Sequence, residues 1–252
     1  MEGSKTKGGI TMETYQAVFK RKEVKYLLTE AQLTALRPAL ETHMEPDAFA
    51  HSSISNLYYD TPDFRILRRS QEKPVYREKL RLRSYGVPDE ETQVFPEIKK
   101  KAEGIVYKRR VSMPYGDAIR YLSRRRPCED GQIFQELNWM LISYGSLAPR
   151  IFLSYERDSW KGREEPSLRL TLDRDILWRT EALDLQRGAW GEPLLEPNQV
   201  LMEVKISNAA PLWLAEALSE NEIFPISFSK CGRAFEILCK KYINEMEMKR
   251  YA

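Results

Sequence analysis

The chain has 252 residues, 31% of them charged and 42% apolar, with 40 Lys and Arg against 37 Asp and Glu for a formal net charge of +3. That length holds one large domain or two small ones with ample core, and the composition is that of an ordinary soluble globular protein. Three cysteines (Cys128, Cys231 and Cys239) without a CxxC pair, and only two histidines, argue against a zinc site or a disulfide framework. Reduced thiols suggest a cytoplasmic location, and no apolar run approaches the roughly 18 residues of a membrane span. The small net charge hides an asymmetry. Residues 65–110 hold 14 Lys and Arg against 7 Asp and Glu, a net +7, so the rest of the chain carries -4. Such concentration suggests an anionic partner.

Residues 1–12 lack the apolar stretch of a signal peptide and read as a disordered or artificially added leader to a single domain over residues 13–249. Arg21 to Leu28 reads as the first strand, with Arg21, Glu23 and Lys25 on one face and Val24 and Tyr26 on the other. Thr29-Glu30-Ala31-Gln32 fits a capping box, and Leu33, Leu36 and Leu40 follow at helical spacing. Ile54 to Asp60 is a second strand. Thr61 as cap and Pro62 at the first position then predict a short helix carrying Arg65, Arg68 and Arg69.

The next strand, Tyr76 to Gly86, carries Arg77, Lys79, Arg81 and Arg83 at alternate positions, so all four point to one face. Four aligned cations are tolerable on a solvated face, opposite carboxylates, or against a bound polyanion. After a turn at Gly86-Val87-Pro88-Asp89, Val94 to Lys101 places Phe95, Glu97, Lys99 and Lys101 on one face and Val94 and Ile98 on the other. Glu103-Gly104 turns the chain into a hairpin partner over Ile105 to Met113, where Val106, Lys108 and Arg110 share a face.

Residues 115–145 read as helical, interrupted by an exposed connector at Arg124-Arg125-Arg126-Pro127. Three further strands follow, at Arg150 to Arg157, Leu168 to Asp175 and Leu201 to Ile206. Asp173 and Asp175 share a face in the second, and Glu203 and Lys205 in the third. A helix over Pro211 to Leu218 precedes a last helix with Cys231, Ala234, Phe235, Leu238 and Tyr242 as its core stripe. About eight strands with one polar and one apolar face, plus four to six helices, predict an α+β fold: an antiparallel β-barrel tunnel with helices packed outside. Basic faces turned inward make a cationic lumen and turned outward an ordinary fold; the helices' need for covering surface favours the first, with the apolar strand faces packed on helices outside.

The chain resembles the triphosphate tunnel metalloenzyme (CYTH-like) superfamily and, within it, the vacuolar transporter chaperone (VTC) domain, a polyphosphate polymerase domain. The resemblance lies in Lys22-Glu23-Val24-Lys25-Tyr26, Leu57-Tyr58-Tyr59-Asp60-Thr61, Leu80-Arg81-Leu82-Arg83-Ser84-Tyr85-Gly86, Glu97-Ile98-Lys99, Tyr107-Lys108-Arg109-Arg110, Leu201-Met202-Glu203-Val204-Lys205 and Phe228-Ser229-Lys230, in the family's order. It implies transfer of the terminal phosphoryl group of ATP to a growing inorganic polyphosphate chain, with a divalent metal, Mn or Mg. By resemblance Lys25, Arg81, Arg83, Lys99, Lys108, Arg110, Arg157 and Lys230 bind phosphate. Arg81, Arg83, Lys99 and Glu203 are the catalytic set, and Glu203 is the metal ligand. A membrane-protein partner stays open.

Two departures bear on function. The superfamily hydrolases carry an ExExK strand, and here the first Glu position is Arg21, which weakens the case for hydrolysis and for a second metal. The polymerase pattern has a further lysine three residues before Lys230, where this chain has Ser227. A tripolyphosphatase or nucleoside triphosphatase on the same tunnel, and a non-catalytic polyphosphate-binding module, remain alternatives. Nucleic acid is not expected, because aromatic residues do not interleave with the basic strand. From the residues alone, Glu203 is also open to pairing with Lys205 or Arg83, and Lys230 to being a surface lysine. Asp173 and Asp175 read as salt-bridge partners of lumen cations. Removing Arg81 and Arg83 together is expected to leave the fold intact by relieving repulsion.

Overall fold

The computed structural model describes residues 22–72, 74–103, 105–124, 131–207 and 209–251. The leader, Arg21, Gly104, Cys128 and the connector from Arg125 to Pro127 lie outside these residues. In chain order the elements are β1 (Lys22–Thr29), α1 (Glu30–His43), β2 (Met44–Asp60), α2 (Arg65–Gln71), β3 (Tyr76–Tyr85), β4 (Gln93–Ala102), β5 (Ile105–Arg110), β6 (Met113–Pro114) and α3 (Tyr115–Arg124). They continue with α4 (Gln132–Tyr144), β7 (Ala148–Gly162), β8 (Arg169–Arg179), β9 (Glu192–Pro193), β10 (Gln199–Ile206), α5 (Leu212–Glu220), β11 (Pro225–Ile226) and α6 (Lys230–Tyr251). Three strands are two residues long; the other eight build the sheet.

All strand pairs are antiparallel, in the order β11-β1-β10-β8-β7-β2-β3-β4-β5, with β6 on β4 and β9 on β8. The sheet curls without closing: among the described residues β11 and β5 do not pair. Curling nonetheless brings the far strands together. The charge of Lys99 on β4 is felt at Glu23 on β1, and Lys79 on β3 donates to Ser229 Oγ just before α6 at 3.1 Å.

Alternation sorts the faces. On the convex side Leu57, Leu80, Leu82, Val94 and Ile98 form one core with α3 and α4. Tyr26, Leu170, Leu172, Met202 and Val204 form a second with α1 and α5. The capping box holds as expected: Gln32 N–H donates to Thr29 Oγ1 at 3.2 Å and Thr29 N–H to Gln32 Oε1 at 3.0 Å. The start of α2 differs from expectation. Pro62 and Asp63 form a turn, Phe64 enters the left-handed region at φ 55°, and the helix begins at Arg65. Thr61 still caps, its Oγ1 accepting the Arg65 N–H at 2.9 Å, and Asp60, at the end of β2, adds to it by accepting the N–H groups of Ile66 and Leu67 at 2.9 Å each.

A third core fills one end of the concave side. Ile54, Leu153, Ile176, Trp178 and Leu201 pack there against Cys231, Ala234, Phe235 and Leu238 of α6. The last helix therefore plugs the curl, whereas the sequence placed all helices outside it. A bulge makes this possible. The β7–β8 register shifts between Ser154 and Glu156, and Asp175 takes φ 48°. Before the bulge β8 turns Thr171 and Asp173 inward; after it, Ile176 and Trp178. Asp175 sits exposed on the bulge, out of line with Asp173, correcting the expected shared face.

Candidate active site

The polar part of the concave face holds two charge clusters, each built around buried carboxylate. The first joins β1, β8, β10, β7 and the start of α6. Lys230 Nζ lies 2.9 Å from Glu203 Oε1 and also contacts Asp173 Oδ2. Lys25 Nζ lies 3.3 Å from Glu203 and 3.4 Å from Glu23. Arg157 grips Asp173 with two bonds, Nε to Oδ1 at 2.6 Å and Nη2 to Oδ2 at 2.7 Å, and its Nη2 is 3.6 Å from Glu203. Asp173 is 0% and Glu203 7% exposed.

Lys230 is the first residue of α6, where the helix dipole disfavours a cation. The two carboxylates offset this and, against burial, hold its ammonium above the usual range. Ser229 caps the helix, accepting the Gly232 N–H at 3.2 Å. A Cβ on residue 232 would lie 3.2 Å from Ser229 Cβ, so glycine lets the cap close tightly. Burial pushes the Glu203 carboxyl up, but Lys230, Lys25 and Arg157 outweigh it and hold it well below the carboxylate range.

The second cluster lies on β3, β4 and β5 around Glu97, which is 1% exposed. Register sets it: Arg81 stands opposite Glu97, and Glu97 opposite Arg110. Arg81 contacts Glu97 Oε2 through Nε and Nη2, both at 2.6 Å, and Lys108 Nζ approaches Oε1 at 2.8 Å. Arg81 also donates to Tyr58 Oη at 3.2 Å. Arg83 donates to Asn56 Oδ1 at 3.0 Å and to Tyr155 Oη at 3.2 Å. Tyr155 ties the clusters together, since Lys230 and Arg157 lie over its ring at 4.7 and 5.1 Å. Burial pushes its hydroxyl up, but Arg83, Arg157 and Lys230 bring it below the usual phenol value.

Burial raises the Glu97 carboxyl, yet Arg81, Arg83 and Lys108 bring it down from 4.5 to about 2. A folded-state value below the unfolded one means stability that is complete above about pH 4.5 and is lost as pH falls towards 2. Denaturant unfolding across that window should show wild type losing stability more steeply than Glu97→Gln. Parallel slopes would remove Glu97 from the acid response.

The VTC domain family matches residues 20–239. The chain belongs to the VTC domain family. No curated protein sequence matches. Among solved structures, a Bacillus halodurans protein provisionally assigned as an adenylate cyclase superposes with a TM-score of 0.53 at 16% identity, over 83% of this chain and 95% of that one. A provisionally assigned adenylyl cyclase from Hippeastrum, described as having a dominant triphosphatase activity, gives 0.46 at 16% identity over 82% and 91%. This VTC domain shares its fold with the Bacillus halodurans protein.

Against that frame of geometry, the expected residues separate. Lys25, Arg157, Lys230 and Glu203 meet in the first cluster; Arg81, Arg83 and Lys108 meet in the second. Lys99 stands between them, open to water but crowded by the pore wall, which with Lys25 and Arg81 lowers its ammonium despite Glu23. Arg110 sits at the sheet edge, its guanidinium 4.9 Å above the Phe95 ring. Glu203 pairs with neither Lys205 nor Arg83 but with Lys230, Lys25 and Arg157, and Lys230 is buried, not a surface lysine. Glu97, Tyr155 and Asn56 were not among the expected site residues. Alternation put Glu97 on the basic face, but its two-bond partner follows only from register.

A divalent ion takes hard oxygen donors, often one or two carboxylates with phosphate completing the shell. Glu203 offers such oxygens, and Glu23 is near enough to feel its charge. Among the described residues no three His, Cys, Asp or Glu side chains converge on a metal position, and cations already sit on both Glu203 oxygens. The residues fit an ion that arrives with phosphate and completes its shell with phosphate oxygens, not one caged by protein.

Proposed function

We propose that this VTC domain is a polyphosphate polymerase. It moves the terminal phosphoryl group of ATP onto the end of an inorganic polyphosphate chain lying in the curl. Eight cations, Lys25, Lys79, Arg81, Arg83, Lys99, Lys108, Arg157 and Lys230, border this space against four carboxylates, Glu23, Glu97, Asp173 and Glu203. The surplus of four positive charges suits a polyanion. Arginines supply paired contacts and lysines point charges to phosphate oxygens.

The observation that carries the reading is that cations occupy the buried carboxylates: Lys230 and Arg157 sit on the two Glu203 oxygens, and Lys108 and Arg81 on the two Glu97 oxygens. That pairing leaves neither carboxylate free to activate water, and the same cations hold both below their ordinary range. A terminal phosphate oxygen is already anionic and needs no base. It forms a bond to the γ-phosphorus of ATP as the bond to the β-phosphate bridging oxygen breaks, and ADP leaves with that electron pair. Arg81, Arg83, Lys230 and Arg157 would hold the spreading negative charge in place. A divalent ion held by Glu203 and phosphate oxygens would neutralise charge on the leaving group.

Incubation with ATP and manganese or magnesium, followed by gel analysis, tests this. Growth of long-chain polyphosphate is the expected result. Release of orthophosphate without chain growth would make the domain a triphosphatase, and tight binding without turnover would make it a binding module.

A further inference from the structure

The rungs of the β3–β4–β5 ribbon change character along the strands. Arg81, Glu97 and Arg110 face one another across three strands, and carboxylate there balances cation. One rung on, Lys79, Lys99 and Lys108 are cross-strand partners, and beyond them Arg77 faces Lys101. Lys108 leans back to Glu97, and Lys79 donates to the Ser229 hydroxyl. Among the described residues Arg77, Lys79, Lys99 and Lys101 make no ion pair, although Glu23 lies near enough to act on Lys99.

Like charges directly opposite one another destabilise a sheet, and both Arg77 and Lys101 are half-buried, so water relieves them only in part. Two successive rungs of this kind extend the cationic surface about 13 Å past Glu97 along the strand direction. They run along the strands towards the start of β3 and the end of β4, where the last pair is Tyr76 with Ala102. A short oligophosphate seated between the Glu97 and Glu203 clusters leaves the Arg77–Lys101 rung uncovered. A long chain continues along it.

We propose that Arg77 and Lys101, one rung beyond the chamber cations Lys79 and Lys99, form a track that binds long inorganic polyphosphate outside the reaction chamber. The proposal rests on reading the chamber as a phosphate site. It adds a second, chain-length-selective subsite, so the domain distinguishes polymer from triphosphate by Arg77 and Lys101, two rungs from Glu97.

The test compares binding of tripolyphosphate and of long-chain polyphosphate by wild type, by Arg77→Ser/Lys101→Ser and by the charge-keeping Arg77→Lys/Lys101→Arg. The serine variant should bind tripolyphosphate as wild type does but long chains roughly tenfold more weakly, with a log–log salt dependence shallower by about 1.4, as for two lost single-strand contacts. The charge-keeping variant should bind both ligands as wild type does. Equal weakening for both ligands, or no weakening for the long chain, would overturn the track. So would single-stranded RNA that competes with long polyphosphate equally well and loses the same affinity in the serine variant. Wild type that binds neither phosphate ligand would overturn the proposed function and the track together. Thermal unfolding shows whether the serine variant folds; if it does not, Lys101→Ser alone must show the same long-chain selectivity for the track to stand.

Discussion

Replacing Arg81 and Arg83 together by alanine is expected to abolish tripolyphosphate binding and to destabilise the protein. From the sequence, four aligned cations suggested that removing two would relieve repulsion and leave the fold untouched. The structure reverses the second half of that expectation. Arg81 holds Glu97 at 2.6 Å from two of its nitrogens, and Arg83 bonds Asn56 and Tyr155. Their loss leaves a carboxylate that is 1% exposed with only Lys108 as close partner. Stranding a buried charge costs about 3–5 kcal/mol. A triple variant that also carries Glu97→Gln should recover much of the stability without recovering binding. Denaturant unfolding beside titration with tripolyphosphate separates the two effects. A double variant as stable as wild type would show that Glu97 is not held by the arginines.

Glu203→Gln is the second large effect. Lys230, Lys25 and Arg157 all use this carboxylate, and it is the oxygen donor best placed to share a divalent ion with phosphate. Glutamine keeps the shape and one acceptor oxygen but removes the charge. Chain synthesis from ATP should fall by roughly 10²–10³-fold, the scale of losing one preorganised electrostatic contact. Metal-free binding of tripolyphosphate should hold or tighten, because the chamber gains a net positive charge. The opposite signs on catalysis and binding distinguish this from a folding defect, which would lower both. Synthesis at the wild-type rate with its metal dependence intact would exclude Glu203 as the metal ligand.

Much of the sheet was legible because alternation is a local signal. Leu80 and Leu82 against Arg81 and Arg83, or Met202 and Val204 against Glu203 and Lys205, assign faces without any tertiary information. The Thr29–Gln32 capping box was equally local. What escaped depended on register or on bulges. Strand β2 begins at Met44 rather than near Ile54, and its pairing with β7 jumps between Pro46 and His51, so the Asp47-Ala48-Phe49-Ala50 stretch shows no usable period. The bulge at Asp175 turned one expected run of inward carboxylates into a single one, Asp173, followed by an apolar floor. That floor is why α6 enters the curl. The helix stripe of Cys231, Ala234, Phe235 and Leu238 was visible in the sequence, but its partners lie on β2, β7, β8 and β10.

The candidate site divides the same way. The basic residues of β3, β4 and β5 announced themselves by spacing. The meeting of Lys230, Asp173 and Glu203 joins three distant segments of chain, and no local pattern specifies it; family resemblance supplied Lys230 and Glu203. Glu97 had the right face but no sign of its importance, because a carboxylate among cations looks the same whether it is a passing counter-charge or the centre of a cluster.

Titration of the wild-type VTC domain with tripolyphosphate over a series of salt concentrations tests most directly whether these cations converge on one anion site. One tripolyphosphate per chain is predicted, with log affinity falling linearly against log salt at a slope of several, reflecting several displaced counter-ions. Weak binding indifferent to salt, or many equivalent sites per chain, would contradict a shared cationic chamber.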